Sequence, residues 1–167
     1  MTFCEQIIAT LIGTIIGFIF ALVLFYLTDI IKRNKQKKEI IQLLKREVEF
    51  NTKLLLKYLK DINKIIENIT ANDNRINTYL KYSDFQVIFF GKSIQSGYIY
   101  EIFTDDEITK IIDCINHFTL FSENYINNFV GQFKNNEIDQ QEMLGLFQFE
   151  RSEIDKHLNF LRNINFN

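Results

Sequence analysis

An all-α membrane protein is what the 167-residue sequence predicts, and three observations predict it. A long uncharged apolar run lies near the N-terminus. Beyond it, apolar residues recur at steps of three and four. The chain contains no proline, so nothing forces a helix to break. The composition, 47% hydrophobic and 24% charged, is close to the globular average and excludes disorder or low complexity. The mean hydropathy of -0.06 conceals how unevenly the apolar residues are spread.

The apolar run covers Ile7 to Thr28, 22 positions without a charge. At a helical rise of about 1.5 Å per residue it reaches roughly 33 Å, enough for a hydrocarbon core of about 30 Å. A cleaved signal peptide is the rival reading. Against it, Glu5 stands where a signal peptide carries Lys or Arg, and Phe25-Tyr26-Leu27-Thr28 offers no small-x-small cleavage site. Residues 1–31 are therefore expected to form a short tail and a retained transmembrane helix. Cys4 stands in no lipobox.

A basic collar follows the run: Lys32, Arg33, Lys35, Lys37 and Lys38. The positive-inside rule puts this side in the cytoplasm, with about six residues outside, so the expected location is a bacterial inner membrane with the N-terminus out. Charge is segregated, with -2 over residues 1–31, +7 over 32–60 and -7 over 61–167. The collar suits anionic lipid headgroups as well as serving as a topology signal. The acidic remainder gives no strong nucleic-acid-binding signal. Cys4 and Cys114 fall on opposite sides of such a membrane, and no intrachain disulfide is expected.

Residues 32–70 combine the collar with a long amphipathic helix, marked by Ile40, Ile41, Leu44, Val48, Leu55, Leu59, Ile62, Ile65, Ile66 and Ile69. With no glycine between Gly17 and Gly91, span and amphipathic segment can form one helix of about 60 residues. Thr70 to Arg75 reads as a turn. Residues 71–167 then form a helical cytoplasmic domain. In it, Ser83 is expected to cap a short helix over Phe85–Phe90 that ends at Gly91 or Gly97. Ile99–Phe103 is rich in strand formers but has no visible partner, so it too is expected to be helical. Thr104-Asp105-Asp106-Glu107 is a capping box. It opens a helix whose apolar face holds Ile108, Ile111, Ile112, Ile115, Phe118, Tyr125, Phe129 and Phe133. Asn135-Asn136 marks a turn, and a last helix over about 138–163 carries Leu144, Phe147, Ile154, Leu158 and Leu161.

Function points first to the span. Ala9, Gly13, Gly17 and Ala21 are spaced four apart, with Thr10 and Thr14 beside them. In lipid, helices associate through close backbone approach and polar contacts, and such a stripe provides for both. The expectation is a homo-oligomer, in which a ring of these helices lines a narrow, weakly polar channel. No ionisable residue lies inside the span, so a charge-selective filter is not expected.

Signatures of phosphate-binding loops, serine hydrolases, zinc proteases and CxxC sites are all missing. Cys114 and His117 are three apart on one helix, but two ligands do not make a zinc site. The run Asp105–Glu107 is accounted for by the capping box. No cofactor and no metal site is expected. Arg151 and His157 are the candidates for catalysis. Six residues at about 100° each leave them about 120° apart around a continuous helix and roughly 9 Å apart along it. Pairs of Arg151 with Asp155 and of His157 with Glu153 are the alternative.

The segment Arg151 to His157 resembles the R-x(4–6)-H pattern of HEPN domains, helical dimers that often act as metal-independent ribonucleases. Ser152 stands where that family usually has Asn, Asp or His. The order of parts, a span at 7–28, a Glu47-x-x-x-Asn51 element in a long helix and a phenylalanine-rich helical domain, resembles small single-pass bacterial membrane proteins. With Arg151 and His157 added, it is similar to the small membrane accessory proteins of type VI-B CRISPR systems. That resemblance implies an accessory to an RNA-guided ribonuclease effector in antiphage defence, acting by a membrane pore that depolarises the cell. A membrane-anchored HEPN-type ribonuclease and a membrane-tethered adaptor are the alternatives.

Overall fold

The expected long helix is present as α1, Phe3–Thr70, 68 residues without interruption. The computed structural model describes residues 3–71, 73, 76 and 80–166, apart from the side chains of residues 5, 9 and 120–125. Among the described residues there are helices and turns and no strand. The expected turn at 70–75 falls partly outside the described residues. Two compact units divide the chain, Met1–Ile40 and Ile41–Asn167. The division lies within the segment 32–70.

In the first unit every described side chain from Phe3 to Gln36 is exposed. α1 is long and apolar enough to cross a membrane, an 18-residue stretch of it having a mean hydropathy of 2.8. The hydroxyls of Thr10, Thr14 and Thr28 donate to the carbonyls of Gln6, Thr10 and Leu24, at 2.9, 2.8 and 2.7 Å. Each hydroxyl is thus satisfied inside its own helix, the arrangement an apolar medium demands.

In the second unit α1 buries Leu44, Val48, Leu55, Tyr58, Ile62, Ile65 and Ile69. These positions step by four and three, and buried Asn51 fills the gap between Val48 and Leu55. Leu59, expected in this stripe, is only half-buried because Tyr58 holds the inward position.

The middle segment departs from expectation at its start. Ser83 lies inside a 3-10 turn, Tyr82–Asp84, and the following helix, α2, begins at Ile88 and runs through Gly91 to Gln95. Its N-cap position holds Val87, which has no side-chain acceptor, and the missing acceptor arrives from α1. Glu47 Oε2 accepts the amide N–H groups of Phe89 and Phe90, at 2.9 and 2.8 Å. One turn further on, Asn51 clasps Gln86, donating to its carbonyl at 2.7 Å and accepting its N–H at 2.9 Å. The Glu47-x-x-x-Asn51 element therefore fastens residues 86–90 to α1. Chain reversal after α2 uses Gly97, whose φ of 76° is a conformation that favours glycine. Ile99–Ile102 forms the short helix α3.

The capping box forms as expected: Thr104 accepts the Glu107 N–H, and Glu107 accepts that of Thr104. It opens α4, Asp105–Asn116, which passes into a π-helical segment, His117–Phe121, and then α5, Ser122–Lys134. The π segment changes the buried register. Up to its start Ile108, Ile111, Cys114 and Phe118 are buried, whereas Ile112 and Ile115, expected on the same face, are exposed and half-buried. After it the buried residues are Ile126, Val130 and Phe133, and Phe129 is only half-buried. The expected inward position at 129 is displaced by one residue to 130, the consequence of the extra residue a π turn inserts. The Tyr125 side chain lies outside the described ones.

Asn136 turns the chain with a φ of 59°, a region Asn tolerates better than most residues. The last helix, α6, spans Gln140–Asn163, and Asp139 caps it by accepting the Glu142 N–H at 2.8 Å. Its inward stripe is Met143, Phe147, Ile154, Leu158 and Leu161 together with Glu150 and His157. Met143 occupies the position expected for Leu144, which is half-buried.

Candidate functional site

The polar residues of the α6 stripe gather the site. Glu150, Glu153 and His157 follow one another by three and four on one face of α6. The π segment brings His117 against them, and the 3-10 turn contributes Tyr82. The Tyr82 hydroxyl donates to Glu150 Oε1 at 2.6 Å, and His117 Nε2 lies 2.9 Å from the same oxygen. His117 and His157 have ring centroids 5.1 Å apart. A ring nitrogen of each and a carboxylate oxygen of Glu153 all lie within 4.8 Å of one another. Phe118 walls the group, its ring edge-on to Tyr82 at 5.3 Å and stacked on Phe85 at 4.8 Å.

Burial sets the protonation of these groups. It pushes the Tyr82 phenol far up, helped by the Glu150 carboxylate, so the hydroxyl keeps its proton and serves as a donor. His157 is held down to about 4, first by burial and then by His117 and Lys156, against the opposing pull of Glu153 and Asp113. It is neutral at physiological pH and keeps a lone pair on one ring nitrogen. Glu153 is held below the usual carboxylate range by its hydrogen bond with Lys156, at 2.9 Å, and stays anionic. No hydrogen bond from the described residues reaches the His157 ring, and Glu153 Oε2 stands 3.9 Å from its Nε2. His157 also forms part of the wall of a cleft of about 620 Å³ between α4 and α6, bordered by Asp106, Lys110, Asp113, Lys156 and Phe160.

The structure does not bring Arg151 and His157 together. Arg151 is exposed, whereas His157 is 4% exposed, and α6 is continuous through both. Of the alternative pairs, His157 does lie beside Glu153. Cys114 stands 2% exposed and outside the histidine cluster, its thiol pushed up to about 12 by burial. Such a thiol is unreactive.

In the membrane-type segment, Thr10, Gly13, Thr14, Gly17 and Ala21 are exposed, and the Ala9 side chain lies outside the described ones. A Cβ added at Gly13 or Gly17 would meet nothing within 4 Å. Of the collar, Lys32, Arg33, Lys35 and Lys38 are exposed and Lys37 is half-buried.

The cluster of His117, Glu150, Glu153 and His157 was not legible as a group. The available signal is the pair Glu150 and His157 at stripe positions of α6, where a plain amphipathic helix has apolar residues. The partner, His117, lies on another helix and reaches the cluster through a π turn that no periodicity announces. Comparison with protein-family models, curated proteins and solved structures finds no match for this chain.

Proposed function

We propose that the chain is a single-span membrane protein that assembles through its N-terminal helix into a ring-shaped pore. In this reading the basic collar lies at the cytoplasmic face of a bacterial inner membrane and the helical unit is cytoplasmic. The observation that carries the reading is the Gly13 and Gly17 face of α1. It is an exposed stripe of small residues on an apolar helix, open enough that an added Cβ meets nothing in the chain itself. In lipid such a face gains energy only by another helix lying against it. The assignment to RNA-guided antiphage defence, as the depolarising accessory of a ribonuclease effector, rests on the order of parts and the Arg151 to His157 pattern. The ribonuclease alternative gains nothing from the geometry, because Arg151 faces solvent and His157 does not.

Light scattering on the detergent-solubilised protein, with the detergent mass subtracted, tests the reading. One closed oligomer that conducts ions in planar bilayers is expected. The Gly13→Leu, Gly17→Leu double variant should lose both oligomer and conductance, since an added Cβ at either position meets nothing within one chain. A monomeric wild type, or a double variant that still assembles and conducts, refutes the reading and leaves the tethered adaptor.

A further inference from the structure

We propose that His117, Glu153 and His157 bind one divalent metal ion of the zinc class, with Glu150 orienting His117 and a remaining position left to water. This inference is independent of the pore reading, for it concerns only the helical unit.

The donor set carries the argument. Two imidazoles and a carboxylate, each offering one ligand atom within 4.8 Å of the others, are borderline ligands that favour zinc and its neighbours in the first transition row. They disfavour calcium and magnesium, which require oxygen cages. Ligands about 2.0–2.2 Å from a tetrahedral centre lie roughly 3.3–3.6 Å from one another. The 3.9 Å between His157 Nε2 and Glu153 Oε2 thus needs a contraction of about half an ångström around an ion, and the donor pairs up to 4.8 Å apart a larger one.

Two further features fit a metal better than a packing role. With His117 ligating through Nδ1, its Nε2 keeps the outer partner expected of a ligating histidine: Glu150 Oε1 at 2.9 Å, itself held by the Tyr82 hydroxyl at 2.6 Å. The carboxylates of Glu150 and Glu153 together balance a doubly charged ion. The cleft of about 620 Å³ that His157 borders gives an approach from solvent.

The test uses the full-length protein in detergent, freed of metal with a chelator and titrated with Zn²⁺ against a chromophoric zinc indicator. One zinc per chain is expected. Glu153→Gln, at a part-exposed position where the shape is kept, should weaken binding at least tenfold. Lys156→Gln, which removes a neighbour but no ligand, should leave zinc bound. Wild-type protein loaded with Co²⁺ should show the intense visible bands of a four- or five-coordinate ion with imidazole ligands. Failure of the wild type to bind zinc overturns the proposal. So does zinc binding unchanged in Glu153→Gln, or a weak octahedral Co²⁺ spectrum.

Discussion

Replacing Glu47 separates a tertiary helix cap from a simple buried charge. Glu47 is 2% exposed, and its Oε2 accepts two amide N–H groups at the start of α2, 2.9 and 2.8 Å away, while its Oε1 is buried without a partner. Hydrogen bonds to a charged group are worth about 1.5–3 kcal/mol each, so Glu47→Ala forfeits about 3–6 kcal/mol. Relief of the buried carboxylate's desolvation returns part of that, leaving a loss of about 2–4 kcal/mol. For a unit of this size that lowers Tm by about 6–15 °C. Glu47→Gln keeps the accepting oxygen and should stay within about 1 kcal/mol of wild type at neutral pH. The pH dependence has a definite sign. Burial raises the Glu47 carboxyl above its ordinary 4.5, against the opposing amides of Phe90, Phe89 and Ile88. Between 4.5 and its raised value the folded chain holds a proton that the unfolded chain has lost. This contribution to stability is present in acid and fades as pH rises through that window, and Glu47→Gln should abolish it. The assays are thermal unfolding by far-UV circular dichroism in detergent across pH and hydrogen exchange of the peptide covering residues 86–91. Glu47→Ala that melts and exchanges like wild type would refute the cap.

Other perturbations have equally defined signs. Tyr82→Phe leaves the buried Glu150 without the phenol that donates to it at 2.6 Å, and should cost about 1.5–3 kcal/mol in thermal unfolding. An unchanged melting temperature would mean that the bond is not formed in solution. Gly91 and Gly97 should respond oppositely to alanine, although neither has an atom within 4 Å of an added Cβ. Gly91→Ala, inside α2, should stabilise by about 0.5–1 kcal/mol. Gly97→Ala, at a φ of 76°, should destabilise by about 1–2 kcal/mol. Thr104→Ala breaks the capping box of α4 and should cost about 1 kcal/mol, seen as faster amide exchange in its first turn.

The parts of this fold that sequence alone conveyed are those set by local chemistry. The apolar run, the heptad-like steps from Leu44 to Ile69 and the Thr104 to Glu107 box each follow from neighbours along the chain, and each is present. The parts that eluded it are set from a distance. No local feature starts α2 at Ile88; a carboxylate more than forty positions earlier does. No periodicity reveals the π turn at His117–Phe121, yet it shifts the buried face from the expected Phe129 to Val130. The same turn delivers His117 to Glu150. The metal-type cluster was thus hidden for the reason that displaced the α5 register.

The Glu47-x-x-x-Asn51 element shows how a motif can carry architectural information without functional information. Glu47 Oε2 and both polar atoms of the Asn51 side chain bind backbone groups of residues 86–90. A carboxylate and an amide one helical turn apart fasten an extended entry and a helix N-terminus onto a long helix, whatever the attached domain does. A chain sharing this element shares a way of folding back on its first helix. It need not share an activity. The same test separates the two α6 candidates. Arg151 faces solvent and touches none of the buried cluster, whereas His157 belongs to it. The R-x(4–6)-H spacing therefore joins two residues with different roles, and chemistry in this unit is better sought where Glu153 and His157 converge with His117, which Glu150 holds.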